Sequence, residues 1–447
     1  MFYIIEDTAM ARPIAVDLFS GAGGMSLGFE QAGFDIAAAV EIDPIHASVH
    51  KFNFPYCEVL PRSVVGLGAD EIRSKARLGR RPVHVVIGGA PCQGFSLIGY
   101  RAFDDPRNML VREFVRLVAE LDAAYFIFEN VQGLTVGRHR QFLDELIQLF
   151  REKNYDVRLD WKVLNAASFG VPQDRRRLFL LGAQRGLPLP EYPDELTRAA
   201  GTGKDRKLSE GPTCREALSD LPDAEDFAEL SQKDWVLTRD WGRPSAYARE
   251  LRGINEWMWW YGYRRKINPR LLSSSMRTLH SDISRRRFAA TPPGETEPIS
   301  RFFRLPADGV SNTLRAGTDS ARGAFTSPRP IHYERPRCIT VREMARLHGF
   351  PDWFRFHETK WHGARQIGNA VSPVVARYVA QEVAKALEYA PTRPSEVIEL
   401  GDPSLLSKDM SRAAAFWNVV APIGRRDRKS GARKRKQHEI ELAMHVE

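Results

Sequence analysis

The sequence has little cysteine and no long apolar run. Its 447 residues contain four cysteines, far apart and without a CxxC pair: Cys57, Cys92, Cys214 and Cys338. This spacing favours neither a disulfide framework nor a zinc site, and it is typical of a protein from a reducing compartment. No apolar stretch approaches the roughly 18 residues of a membrane span, and the first residues, MFYIIEDTAM, lack the basic segment of a signal peptide. We therefore expect a cytoplasmic location.

The charge balance is basic. The chain carries 65 lysines and arginines against 56 aspartates and glutamates, a formal net charge of +9. Such an excess favours a polyanionic partner, but charge alone indicates only non-specific attraction. The most basic run is RRDRKSGARKRK at 425–436. We therefore expect residues 396–447 to form a disordered basic tail that adds salt-dependent affinity for nucleic acid.

Residues 13–185 alternate short apolar runs with amphipathic stretches. The strand-like runs are IAVDLF (14–19), FDIAAAVEID (34–43), VHVVIGG (83–89), AYFIFENV (124–131) and RRLFLLGA (176–183). Helical patterns lie between them, as in MSLGFEQAGF (25–34) and RQFLDELIQLFREKNY (140–155). This alternation predicts an α/β fold with a doubly wound sheet and right-handed crossovers.

The composition changes after residue 185. Residues 186–335 are rich in proline, glycine, arginine and tryptophan and show little periodicity, which indicates an inserted, irregular domain. Helical periodicity returns in 336–395, so the first domain is expected to resume there. Within the insertion, the run WMWWYGYRRK (257–266) is interpreted mainly as packing core, with Arg264 and Arg265 as candidate contacts to nucleic acid.

Cys92 lies in GGAPCQGFS (88–96), directly after the apolar run VHVVI. The glycine pair ends the predicted strand, and Pro91 restricts the backbone just before the cysteine. The thiol is thus expected at the carboxyl end of a parallel strand, where open α/β sheets keep their chemistry. Taken alone, a single cysteine is more often a small buried apolar residue.

A glycine-rich turn follows the first predicted strand, in DLFSGAGGMSLGFE (17–30). Gly21 and Gly23 permit a tight turn and a close approach of ligand to backbone. Glu41 ends the second strand, where an acidic side chain can bind both hydroxyls of a ribose, and Phe19 can stack on a flat base. A dinucleotide-binding dehydrogenase is the obvious alternative, although Ser26 replaces the third glycine of its GxGxxG pattern.

Together these segments resemble the DNA cytosine-5 methyltransferase family. The similar motifs, in order, are DLFSGAGG, EIDP (41–44), GGAPCQGFS, DPRNMLVREF (105–114), ENV (129–131), QDRRRLFLLG (173–182), RCITVREMARLHGFP (337–351) and QIGNAVSPVVA (366–376). The resemblance covers roughly residues 13–390. It implies a Rossmann-like methyltransferase sheet over 13–185 and 336–395, with a target-recognition domain at 186–335.

The resemblance also implies the catalytic residues. Cys92 becomes the nucleophile that adds to cytosine C6, and Glu129 the acid for the ring nitrogen N3. Pro91 and Asn130 complete these motifs. Arg175 is expected to face the active site and support a flipped base, while Arg177 does structural or phosphate-binding work.

S-adenosyl-L-methionine is the implied cofactor, without a metal. The residues expected to bind it are Asp17, Phe19, Gly21, Gly23, Glu41, Ile42, Leu110, Asn369 and Ala370. The residues expected to contact DNA are Ser96, Arg107, Arg177 and Thr313. The chain departs from the family where an aspartate usually reads the adenine, because Ser63 occupies that place and Asp70 comes several residues late.

The implied partner is double-stranded DNA, bound by a monomer. A cognate restriction endonuclease acting on the same site is the second partner, since the chain resembles the bacterial restriction–modification enzymes. A tRNA cytosine methyltransferase of the same fold is an alternative, but the CFT tripeptide of that branch is absent. A DNA-binding protein without catalysis is disfavoured because Cys92, Glu129 and Arg175 are all present.

Overall fold

The computed structural model describes residues 12–91, 108–135, 139–202, 207–254, 256–318 and 327–421. Three of the expected site residues, Cys92, Ser96 and Arg107, lie outside these ranges, as does the basic run 425–436. Within the described ranges, no helix is both long enough and apolar enough to cross a bilayer.

One mixed sheet of eight strands forms the centre of the fold. Its strands are β1 (Ile14–Leu18), β2 (Asp35–Val40), β3 (Glu58–Leu60), β4 (Val85–Gly88), β5 (Tyr125–Val131), β6 (Tyr155–Val157), β7 (Lys162–Asn165) and β8 (Arg176–Gln184). Their order is β3-β2-β1-β4-β5-β8-β6, and β7 also pairs with β8. The first five strands run parallel, whereas β8 is antiparallel to β5.

Both faces of the sheet are buried, as a doubly wound fold requires. In β1, Ala15 belongs to one apolar core, while Val16 and Leu18 belong to the other. The helices of this region are α1 (Gly24–Gln31), α2 (Pro44–Asn53), α3 (Ala69–Lys75), α4 (Met109–Glu120) and α5 (His139–Glu152). The predicted fold class is therefore confirmed, and the antiparallel β8 is a detail that the alternation of elements did not indicate.

The region between 186 and 335 has short elements and little regular sheet. They are β9 (Thr197–Arg198), β10 (Ser209–Glu210), α6 (Cys214–Leu218), β11 (Val236–Leu237), α7 (Ala246–Arg252), β12 (Arg264–Arg265), β13 (Leu271–Leu272) and α8 (Asp282–Ala290). The chain then returns through α9 (Val341–His348), α10 (Lys360–Asn369) and α11 (Pro373–Ala386). Helix α11 packs closely against α1.

The tryptophan-rich run packs on this returning part of the chain. The Trp259 ring stacks on Trp353 with centroids 5.5 Å apart, and the Arg377 guanidinium lies 3.8 Å from the centre of the Trp260 ring. The expected DNA contact by Arg265 is wrong, because its buried guanidinium pairs with the buried Glu30 carboxylate at 2.7 Å. A buried ion pair of this kind cannot be given up to a phosphate without a large desolvation cost.

The expectation of a disordered tail from residue 396 is wrong for its first part. Here β14 (Val397–Ile398) pairs with β12, a 3-10 turn spans Pro403–Leu406, and α12 (Met410–Trp417) packs against α2. Leu405 and Leu406 are buried with Ala22, Val49 and Phe52. The reason is apolar burial, which the net charge of the segment as a whole concealed.

Replacing Leu406 by alanine should therefore destabilise the protein. Leu406 is completely buried, and a buried leucine truncated to alanine costs about 2–5 kcal/mol. Urea denaturation of the full chain measures this loss. The control is Val420→Ala, at a residue that is 94% exposed; equal stability of the two variants would contradict the packing described for this segment.

Candidate active site and cofactor cavity

A cavity of about 1480 Å³ opens at the carboxyl ends of β1, β2, β4 and β5. Most of the residues predicted from the sequence line it: Asp17, Phe19, Gly21, Glu41, Ile42, Pro91, Leu110, Glu129, Asn130, Arg177, Asn369 and Ala370. Gly23, Arg175 and Thr313 do not line it. Open α/β sheets bind their ligands at this edge, so the position agrees with a binding or catalytic cavity.

The turn after β1 has left-handed backbone at three positions. Gly21 and Gly23 have φ values of 56° and 102°, and Phe19 adopts φ 64° although it carries a side chain. Left-handed backbone at a bulky residue is uncommon and tends to mark functional sites. A Cβ at Gly23 would lie 2.5 Å from the Phe54 ring, so this glycine serves packing behind the cavity and not its lining.

Glu41 is fixed by the backbone around it. One carboxylate oxygen accepts the Gly21 N–H at 2.8 Å, and the other accepts the Asp43 N–H at 2.9 Å. Burial nevertheless raises the pKa of Glu41. Beside it, the Ile42 side chain is 59% exposed on the cavity wall. An apolar surface next to a hydrogen-bonding carboxylate is suited to a nucleoside, whose base is flat and whose ribose carries hydroxyls.

Asp17 is the second carboxylate on the wall of this part of the cavity. The Ser26 hydroxyl donates to its Oδ2 at 2.5 Å, and His50 Nε2 lies 3.1 Å from the same hydroxyl. Burial raises the pKa of Asp17 to about 7. The serine that stands where a dinucleotide-binding motif has its third glycine therefore has a polar role.

Glu129 lies near the carboxyl end of β5, at the other side of the cavity. Its side chain forms an ion pair with Arg177 at 3.0 Å. Burial raises the pKa of Glu129, and the positive charges of Arg177 and Arg175 oppose that rise. A Cβ at Gly89 would lie 2.7 Å from Glu129 Oε2, so a larger residue here would require the carboxylate to shift.

Asn130 connects β5 to the segment that leads to Cys92. Its side-chain amide donates to the Ala90 carbonyl at 3.1 Å. Ala90 and Pro91 follow β4 and line the cavity. This bond fixes the chain two residues before the cysteine in the sequence.

Arg175 and Arg177 have different surroundings in the structure. Arg175 is buried and donates to the carbonyls of Leu314 at 3.1 Å, Gly368 at 2.9 Å and Ala370 at 2.8 Å. Burial lowers its pKa to about 9. Since β8 begins only at Arg176, Arg175 precedes the strand and turns toward the inserted region, while Arg177 contacts Glu129.

Thr313 lies outside the main cavity. Thr313 is half-buried and donates to the Asp174 carbonyl at 2.7 Å; it lines a second cavity of about 370 Å³ together with Arg301 and Arg315.

Ser63 lines the main cavity, whereas Asp70 is exposed on α3 and does not. Ser63, and not the later aspartate, is therefore available to a cofactor.

Several residues that line the cavity belong to no motif predicted from the sequence. They include His46, Trp361, His362, Arg365 and Met410. They come from α2, α10 and α12, and no motif in the sequence indicated that these elements meet. Among the described residues, no cluster of three or more histidine, cysteine, aspartate or glutamate side chains could hold a metal ion.

The sequence matches a known protein family. The family model for C-5 cytosine-specific DNA methylases matches residues 14–385. The chain belongs to this family. It is a DNA cytosine-5 methyltransferase, and the family implies S-adenosylmethionine as the methyl donor.

Named relatives agree with this assignment. The chain is 56% identical to type II methyltransferase M.XorII of Xanthomonas oryzae over 431 residues, 96% of this chain and 98% of the relative. It is 33% identical to type II methyltransferase M1.HphI of Haemophilus parahaemolyticus, over 83% of this chain and 86% of the relative. Among solved structures, a prophage-encoded E. coli protein described as a candidate DNA modification methyltransferase matches with TM-score 0.67, 35% identity and coverage of 84% and 99%.

Proposed function

We propose that this methyltransferase modifies C5 of a flipped-out cytosine in a specific duplex DNA sequence through a covalent Cys92–C6 adduct. We further propose that it is the modification enzyme of a restriction system, acting as a monomer in the cytoplasm. The observation that carries the chemical proposal is the buried Glu129 carboxyl, which shares a cavity with the segment leading to Cys92. The type II names of the relatives support the restriction system.

The residues present fit S-adenosylmethionine. Glu41 offers two carboxylate oxygens to the ribose hydroxyls, and Phe19 and Ile42 offer apolar surface to the adenine. Asp17 lies on the same wall, where its carboxyl suits the amino group of the methionine part. Leu110 and Asn369 complete the lining. When bound, the cofactor supplies an electrophilic methyl group on its sulfonium sulfur.

Cytosine C5 needs activation before it can accept that methyl group. In the proposed mechanism the Cys92 thiolate forms a bond to C6, and the electron pair of the C5–C6 double bond makes C5 nucleophilic. After methylation, a base from the solvent takes the C5 proton, the C5–H electron pair restores the C5–C6 double bond, and the C6–S bond breaks to release the Cys92 thiolate. Only the thiolate is competent in the first step.

Glu129 is the proposed acid for this step. Addition at C6 places negative charge on the ring, and protonation of N3 relieves it. Burial favours the neutral carboxyl, so Glu129 holds a proton at higher pH than an exposed glutamate does. Asn130 binds the Ala90 carbonyl and so helps to hold Ala90 and Pro91, the residues that lead to Cys92 in the sequence.

The two arginines take separate proposed roles. Arg177 contacts Glu129 and orients its carboxyl. Arg175 binds carbonyls of the inserted region and of α10, and so supports the active site from behind.

Contacts to DNA by Ser96, Arg107 and Thr313 stay predictions. A cytosine within a duplex cannot reach the thiol, so the base must leave the stack.

Methyl transfer from tritiated S-adenosylmethionine to long duplex DNA and to tRNA, measured side by side, tests the substrate and the nucleophile. We expect labelling of duplex DNA and not of tRNA.

Cys92→Ala should abolish transfer and leave DNA binding intact, because only the thiolate can add to C6. Retained transfer in this variant would contradict the mechanism, and labelling of tRNA would support the alternative substrate.

Replacing Glu129 by glutamine tests the proposed acid. The amide keeps the volume of the side chain but cannot deliver a proton, so the rate of transfer should fall about 10²- to 10⁴-fold. Single-turnover rates on duplex DNA measure the fall. The matched control is Glu152→Gln on the exposed end of α5, which should match the wild type. An unchanged rate in Glu129→Gln would remove Glu129 from the chemistry.

A further inference from the structure

His46 occupies an unusual position on the wall of the cofactor cavity. It lies on the first turn of α2 and is 5% exposed. Its Nδ1 is 4.0 Å from Glu41 Oε1, and its Nε2 is 3.8 Å from Asp43 Oδ2. Nε2 is buried and has no hydrogen-bond partner among the described residues. The imidazole thus lies between two carboxylates without bonding directly to either.

The packing around His46 is rich in titratable groups. Besides the two carboxylates, its neighbours are His357 and His362, whose rings are 4.8 Å apart. Burial lowers the pKa of both, so they are neutral near pH 7. The more distant charges are Arg365 beside His362 and Arg412 near His357.

The C-terminal segment closes this cluster from outside. His357 Nε2 lies 3.0 Å from the Lys408 carbonyl oxygen, and Met410 reaches the cavity wall. Both residues lie beyond the part of the chain that the family model matches, which ends at residue 385. The contact between His357 and Lys408 thus places the C-terminal segment beside the Glu41 side of the cavity.

The burial of Glu41 opposes the ionised form that the proposed ribose contact needs. To accept hydrogen bonds from two ribose hydroxyls it must be ionised, but burial raises its pKa. The N–H groups of Gly21 and Asp43 offset part of that penalty. The nearby Asp43 carboxylate adds to it, since two like charges oppose each other's ionisation.

We propose that His46 is a positioning residue for the cofactor: its imidazolium lies between Glu41 and Asp43 and keeps Glu41 ionised for the ribose hydroxyls. A positive charge within about 4 Å of both carboxylates favours their charged forms. The role rests on the proposed assignment of Glu41 to the ribose. It needs no metal, and within the described part of the chain the residues form no metal cluster.

The role has a characteristic pH dependence. As the pH falls, protonation of Glu41 should weaken cofactor binding. In the wild type, the positive charge of His46 should move this protonation to lower pH. Without His46 the weakening should move to higher pH by about one unit, the usual effect of one opposite charge. Imidazoles in general lose their charge toward alkaline pH, so wild type and variant should bind alike at about pH 8.5.

The experiment is titration calorimetry of the full chain with S-adenosylmethionine, without DNA, from about pH 6 to about pH 8.5. His46→Ala and His46→Gln should both bind about tenfold more weakly than wild type near pH 6 and about equally at the upper end. Because the glutamine variant nearly keeps the volume, a folding defect in the alanine variant leaves the comparison intact. His84→Gln, at the opposite end of β4, is the control and should match the wild type.

Two outcomes would overturn the proposal. A loss of affinity that is the same at every pH would assign His46 to packing alone, and an unchanged affinity would remove it from the site. Glu41→Gln separates this inference from the proposed function. If that variant binds S-adenosylmethionine as the wild type does, the cofactor assignment itself fails; if it binds weakly while the His46 variants do not, only the inference fails.

Discussion

The structure depends on one constraint, which is that three largely buried carboxylates have to be held on the wall of one cavity. Asp17, Glu41 and Glu129 come from three strands of the sheet, and burial raises the pKa of each. A buried carboxylate is tolerated only where hydrogen bonds or opposite charges compensate for its lost hydration. Each of the three has a different compensation. Asp17 has a serine hydroxyl, Glu41 has backbone N–H groups, and Glu129 has an arginine.

These compensations explain the local sequence around the cavity. Gly21 adopts a left-handed backbone and turns its N–H toward Glu41. Gly89 leaves the space that Glu129 needs, since a side chain there would touch the carboxylate. The two glycines therefore contribute to the surroundings of the carboxylates, and both line the cavity.

Distant parts of the chain hold this edge of the sheet together. Arg175 joins the inserted region to α10 through three carbonyls, and Arg265 joins it to α1 through Glu30. The C-terminal segment packs on α2 through Leu406. Since α2 begins just after Glu41, this packing lies next to the Glu41 side of the cavity. The inserted region and the C-terminal segment thus act as supports for the catalytic sheet.

Much of this could be predicted from the sequence, and the exceptions have physical reasons. Apolar runs and glycine turns are local signals, and Glu41 and Glu129, which end two of the predicted strands, both line the cavity. The contacts of Arg175 and Arg265 are set by partners more than a hundred residues away, which no local pattern reveals. Leu406 was missed because it belongs to a segment assigned to the tail by its charge. His46 was missed because a histidine on a helix usually has no special role.

The central claim is that Cys92 bonds to the target base. Long duplex DNA synthesised with 5-fluorocytosine tests it most directly, because fluorine at C5 cannot leave as a proton and the adduct persists after methyl transfer. Nuclease digestion followed by peptide mass spectrometry then locates the bond. The account predicts a methylated fluorocytosine nucleotide on the peptide that contains Cys92, and none in Cys92→Ala. An adduct on another cysteine, or methylated product with no adduct at any time, would contradict it.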